Sequence, residues 1–206
     1  MHTRGNTETV AADPKVQLRA AVLAARRAVP DSTRTAEAHA LAEHLRGVVH
    51  ADDTVCAYMP VGSEPGSADL ADRLRVLCAR LLLPVARTDA AGEPLPLSWG
   101  EYIPGALTAG RFGLLEPAEP WLPPSALAEA SIVLIPALAV DRRGVRLGRG
   151  GGFYDRSLAQ CRPDGRLVAV VRDSELIDQV PSDPHDVRVT HALTPQHGLI
   201  ALSDAV

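Results

Sequence analysis

The sequence predicts a single α/β domain with a mainly parallel central sheet flanked by helices. Two observations carry this. Short apolar runs of strand length recur at 54–59, 81–86, 131–140 and 167–171, and they are apolar at consecutive positions, as strands covered on both faces are. Between them lie helical patterns such as 67–77 and 153–161, and alternation of strands with helices builds parallel sheets. A length of 206 residues fits one large domain and allows a sizeable core.

The elements follow in order. Residues 1–12 are polar and read as a disordered tail, leaving 13–206 as the domain. Asp13 caps a helix over 14–28 with Pro14 at its first position, where the missing N–H costs nothing. Val16, Ala20, Leu23 and Arg27 fall near one face of it, and Lys15 and Arg19 lie four apart on another. Residues 30–32 stop it and start a second helix running to about Arg46, with Ala36, Ala40, Leu41 and Leu45 at helical spacing. A strand over 54–59 leads into a loop, 60–66, that carries Glu64. Ser67 caps a helix with Leu70, Leu74 and Leu77 on one stripe. In the strand 81–86, Pro84 marks an end or a sheet edge. Residues 88–126 are rich in Pro and Gly, with one short strand at 97–99. The strand 131–140, a glycine-rich turn, a helix over 153–161, a strand at 167–171 and a last short strand at 187–193 complete the chain.

The composition excludes several classes. A net charge of −4 is wrong for a general nucleic-acid binder, which carries a basic face. Three widely spaced cysteines form no zinc or redox motif, and read as thiols in a reducing compartment. No apolar stretch reaches membrane-spanning length, and residues 1–12 lack an apolar signal core. A cytoplasmic location, no membrane partner and a monomer or weak homodimer are expected.

The segment 144–156 holds five glycines and three arginines between a strand and a helix start. Glycine lets backbone N–H groups approach an anion closely, and arginine supplies forked, permanently charged donors. It lacks the Gly-Lys-Ser/Thr of a P-loop, and Phe153 stands where a dinucleotide fingerprint has its last glycine. The bland reading is a flexible turn with solvated arginines; three guanidinium groups crowded around glycines favour an anion site instead. Other candidates also have bland readings. Lys15 and Arg19 suit a solvated helix face. Asp155 suits a salt bridge to Arg149 or Arg156. Asp186 suits a local Asx-turn, Glu64 an exposed loop, and Tyr154 simple packing.

The stretch 135–156, which includes Gly144, Arg146, Leu147, Gly148, Arg149, Gly150, Gly151, Gly152, Phe153, Tyr154 and Asp155, resembles the signature of the 5-formyltetrahydrofolate cyclo-ligase (methenyltetrahydrofolate synthetase) family. Lys15 and Arg19, Glu64, Leu83-Pro84 with Arg87, the segment 112–117 and the segment 180–186 resemble family features in the same order. The resemblance spans roughly 14–195. It implies the fold shared with ribose-phosphate isomerases and CoA transferases. It implies ATP and Mg²⁺, a 5-formyltetrahydrofolate substrate, and release of ADP and phosphate after phosphorylation of the formyl oxygen.

Carried onto this sequence, the resemblance gives Lys15, Arg19 and residues 146–154 to ATP, with Arg146, Arg149 and Tyr154 at the transferring group. Asp155 and Asp186 become Mg²⁺ partners, and Glu64, Phe112 and Tyr154 substrate contacts. Phe153 replaces a family tyrosine, Gly151 stands where some members have lysine, Phe112 where some have tryptophan, and Thr190 where an acid is frequent. On this reading Arg146→Ala weakens ATP binding and leaves stability little changed. Two alternatives stay open: a non-catalytic nucleotide- or folate-binding paralogue, and another phosphate-handling enzyme of this fold, such as a sugar-phosphate isomerase.

Overall fold

A computed structural model describes residues 13–184 and 186–202; the expected tail, 1–12, lies outside the described residues. Helices α1 (Pro14–Ala28) and α2 (Asp31–Leu45) come first, then β1 (Thr54–Cys56), the short helix α3 (Leu70–Arg75), β2 (Arg80–Val85) and β3 (Ser98–Glu101). A hairpin of β4 (Leu107–Ala109) and β5 (Leu115–Pro117) precedes β6 (Ile132–Pro136), β7 (Ala139–Asp141) and β8 (Arg146–Leu147). Helix α4 (Phe153–Leu158), β9 (Arg166–Val170), β10 (Leu176–Ile177), β11 (His191–Thr194) and β12 (Gly198–Ala201) follow.

Seven strands form one sheet in the order β12-β11-β9-β6-β1-β2-β3. The inner five are parallel, and the two edge strands, β12 and β3, run antiparallel to their neighbours. Successive side chains on a strand face opposite ways, and the core divides accordingly. Val55, Leu81, Leu83, Ile132 and Leu134 join Leu41, Leu45 and Leu74 of α2 and α3 on one face. Cys56, Leu82, Val133 and Ile135 join Leu127 and Leu158 on the other. Burial on both faces is why these strands read as continuous apolar runs. A separate three-stranded sheet, β10-β7-β8, supports α1 through Leu138, Val145, Leu147 and Val180.

Several expected elements differ. The inward stripe of α1 is Leu18, Val22 and Leu23, not Val16, Ala20 and Arg27, which are exposed. The helix is turned this way because Arg26 is buried against Glu175. The strand expected over 131–140 is two strands in two sheets. Beyond Pro136 the Ala137 carbonyl accepts from Arg26 Nη2 at 2.7 Å, and Leu138 N–H donates across to Leu147. β1 stops at Cys56, and Tyr58 donates its hydroxyl hydrogen to the Pro65 carbonyl at 2.6 Å, folding the loop back over the strand end. Pro84 sits inside the sheet, paired with Trp99 of β3. It is tolerated because the β1 ladder ends at Leu82. Asp69, not Ser67, precedes α3, and the Ser67 hydroxyl bonds the Asp69 carboxylate. α4 is shorter than 153–161, and the last expected strand starts at His191.

The chain turns to one side from β1 into β2 and places β6 on the other side. The carboxyl ends of β1 and β6 therefore border a topological switch point, where open α/β sheets form their ligand crevice. Among the described residues no helix is long and apolar enough to cross a membrane.

Candidate active site

A cavity of about 610 Å³ opens at these strand ends. One wall is the glycine loop between β8 and α4, where Gly150 and Gly152 adopt φ of +98° and +71°, values that a side chain disfavours. No backbone N–H from Gly148 to Gly152 donates to another described residue. The second wall is the first half of α1, with Lys15 and Arg19. Its start is fixed by Asp13, which accepts from the Lys15 N–H at 2.8 Å. The third wall is apolar and comes from strand ends and their loops: Met59, Pro84, Ala86, Leu97, Leu114 and Pro136. Phe153 and Tyr154 lie where the loop meets this wall.

The charged groups are held in pairs across these walls. Arg146 leaves β8 with its side chain 4% exposed and donates from Nη2 to Asp155 Oδ1 at 2.6 Å. Asp155 therefore pairs with Arg146, not with Arg149 or Arg156. The Arg146 Nε is buried and has no partner. An Arg146→Ala change would leave Asp155 without its partner, which argues for a loss of stability where little change was expected. Arg149 reaches across the mouth and donates from Nε to Glu64 Oε1 at 2.9 Å. The other Glu64 oxygen accepts the Val61 N–H at 3.0 Å, so Glu64 is a largely buried member of the site and not an ordinary exposed loop residue.

Lys15 Nζ donates to both Asp183 and Asp186 at 2.7 Å. Burial lowers the Lys15 pKa, but hydrogen bonds and charge from Asp183 and Asp186 outweigh it and leave the pKa raised. Asp186 also takes the Asp183 N–H at 2.7 Å, closing a local turn. Arg19 Nε donates to the Gly148 carbonyl at 3.0 Å, and its guanidinium packs at van der Waals distance over Gly150. The Tyr154 hydroxyl makes no hydrogen bond among the described residues. Burial, helped by the Glu64 charge, pushes its pKa well above the ordinary value. The phenol stays protonated at neutral pH.

The cavity thus collects Lys15, Arg19, Glu64, Arg146, Leu147, Gly148 to Gly152, Phe153, Tyr154, Asp155 and Asp186. Phe112 has its backbone in a 3-10 turn, Arg111–Gly113; its side chain lies outside the described residues. Thr190 is not part of the lining. Its hydroxyl accepts the Leu167 N–H at 2.9 Å at the start of β9. Sequence reasoning missed Asp183 as a partner of Lys15, although it stands three residues before Asp186. It also missed the apolar wall, which carries no local signal because only the sheet order assembles it.

The donors suit a polyphosphate: unpaired loop N–H groups, a buried Arg146 Nε, and Arg19 without a carboxylate partner among the described residues. They do not form a metal cage of their own. No group of three His, Cys, Asp or Glu among the described residues is placed to hold an ion. To ligate one directly, Asp155 and Asp186 would have to exchange Arg146 and Lys15.

Known proteins share both sequence and shape with this chain. The model of the 5-formyltetrahydrofolate cyclo-ligase family matches residues 11–195. The chain belongs to that family. A 5-formyltetrahydrofolate cyclo-ligase of Mycolicibacterium smegmatis is 58% identical over 188 residues, covering 91% of this chain and 97% of that protein. An Escherichia coli cyclo-ligase is 28% identical over 143 residues, 69% of this chain and 78% of that one. The solved 5,10-methenyltetrahydrofolate synthetase of Aquifex aeolicus superposes with a TM-score of 0.72 at 25% identity, covering 94% of this chain and 95% of that chain. That of Mycoplasma pneumoniae gives 0.65 at 18% identity, covering 86% and 96%, and supports the fold alone. In this member of the cyclo-ligase family, residues 146–155 line the cavity at the strand ends.

Proposed function

We propose that the protein converts 5-formyltetrahydrofolate to 5,10-methenyltetrahydrofolate at the expense of ATP, releasing ADP and phosphate. The observation that carries this reading is the meeting of Lys15 and Arg19 with the glycine loop and Arg146 on one side of a cavity whose other side is apolar. A triphosphate belongs against the first side and a flat pterin against the second.

The formyl oxygen is a poor leaving group until it is phosphorylated. In the proposed sequence it attacks the γ-phosphorus and ADP departs. N10 then bonds to the activated carbon and loses its proton, and phosphate leaves with the former formyl oxygen. Phosphoryl transfer asks the protein for alignment and charge neutralisation. Arg146, Arg149 and the loop N–H groups supply both, and Lys15 and Arg19 close from α1. Tyr154 donates its hydroxyl hydrogen to the transferring group, and Glu64 accepts from the pterin. Asp155 and Asp186 would stand beside a Mg²⁺ carried in with the triphosphate, which would supply charge neutralisation there. The thiols of Cys56, Cys78 and Cys161 are all free, which supports a reducing, cytoplasmic setting.

The test is direct. Purified protein with ATP, Mg²⁺ and 5-formyltetrahydrofolate should generate the methenyl chromophore and one ADP per turnover. Absence of product with folded protein would overturn the proposal.

A further inference from the structure

α1 is held on the molecule in an unusual way. Its apolar contacts, Leu18, Val22 and Leu23, are only partly buried, and the one buried residue in the helix is Arg26. Arg26 donates from Nε and Nη2 to the two oxygens of Glu175, both at 2.7 Å. Nη2 also donates to the Ala137 carbonyl at 2.7 Å, next to the cavity-lining Pro136. Glu175 is held in turn by the Arg172 N–H at 2.9 Å, and the Arg172 side chain pairs with Glu37 of α2 at 2.8 Å.

A buried ion pair is weak evidence for stability and is best attested as a device that sets register. An apolar stripe alone lets a helix slide and roll, because hydrophobic burial has no direction. A two-point guanidinium fork defines both position and rotation. Arg26 follows Arg19 by seven residues and Lys15 by eleven, so all three share one stripe of the helix, with the anchor about 10 Å and 16 Å along the axis from the two cations. We propose that Arg26 is a positioning residue: its fork on Glu175 and Ala137 sets the register at which α1 delivers Lys15 and Arg19 to the glycine loop. This rests on the reading that those two cations contact ATP.

The test uses the double variant Arg26→Met, Glu175→Gln, which removes both charges and keeps an acceptor for the Arg172 N–H. Four quantities are measured: melting temperature, KM for ATP, KM for 5-formyltetrahydrofolate, and hydrogen exchange of residues 14–28 in the protein without ATP. The melting temperature should change little. KM for ATP should rise about tenfold, the equivalent of one lost charge-assisted contact, while the folate KM stays near wild type and the α1 amides exchange faster. A folded double variant with wild-type ATP KM overturns the positioning role. If that variant does not fold, Arg26→Lys decides by the same KM comparison, since it keeps the charge and loses the fork. Lys15→Ala is the control. Should its ATP KM be unchanged, the reading of α1 as a phosphate contact fails and the positioning role falls with it. Should its KM rise while that of the double variant does not, only the positioning role fails.

Discussion

Asp141 is predicted to govern the stability of the hairpin that delivers Arg146. Its carboxylate is fully buried and accepts backbone N–H groups from Arg143 at 2.9 Å, Val145 at 3.0 Å and Val180 at 3.1 Å. The Arg143 guanidinium adds a contact at 2.8 Å. In Asp141→Ala the Val145 and Val180 donors are left without an acceptor in the interior. Each such donor costs about 1–3 kcal/mol, and the half-exposed Arg143 pair adds about 0–1 kcal/mol. The loss should be about 4 kcal/mol, or a melting temperature lower by about 8–16 °C for a chain of this size.

Urea unfolding followed by circular dichroism measures this loss. Burial raises the Asp141 pKa, but the Arg143 bond and the three N–H groups outweigh it and hold the pKa below the ordinary value. Its stabilisation is therefore complete above the unfolded carboxylate pKa and disappears as pH falls through the lower folded one. Asp141→Asn should flatten that acid limb. A loss below about 1 kcal/mol in Asp141→Ala would refute the reasoning, because the orphaned donors would then have found other partners.

Three more outcomes are expected. Gly144→Ala should destabilise by about 3 kcal/mol, because φ is +80° and the new methyl would meet the Val189 carbonyl; a melting curve within error of wild type would contradict it. Arg146→Ala should raise the ATP KM and lower stability by about 2 kcal/mol through the stranded Asp155, measured by kinetics and denaturation on one preparation. Tyr102, buried and bonded to Asp72 at 2.6 Å, has its pKa pushed up to about 12, and burial raises Tyr58 and Tyr154 as well. Alkaline spectrophotometric titration should show no phenolate forming near the ordinary pKa of about 10 while the protein is folded. The stabilisation linked to these tyrosines is present below that pH and is lost above it as their folded pKa values are reached.

The elements with strong local chemistry were legible. Asp13-Pro14 marked the start of α1, and the aliphatic runs around Val55, Leu82 and Leu134 marked the inner strands. What escaped was set by distant partners. Nothing near Arg26 announces that Glu175 buries it, and that one pair rotates the apolar stripe of α1 by a few positions. β8 and β10 are two residues long, too short for periodicity, and exist because β7 lies between them. The glycine loop stood out from composition as a candidate anion site, and it lines the cavity. The pairing of its Arg149 with Glu64, and of Lys15 with Asp183 and Asp186, was not legible, because these carboxylates come from segments with no pattern of their own.

Those pairings have a consequence for how the site meets charged molecules. Lys15, Arg146 and Arg149 each grip a carboxylate, so the charges lining the crevice nearly cancel and cast little field into solvent. It does not gather anions from a distance as an open cluster of cations does. On the proposed reading, a polyphosphate meets the unpaired loop N–H groups and Arg19 first, and then draws Lys15, Arg146 and Arg149 away from their carboxylates. On that reading entry is in part an exchange of partners, weakly dependent on ionic strength, and a small anion with too few oxygens to complete the swap leaves the cations with the partners they have.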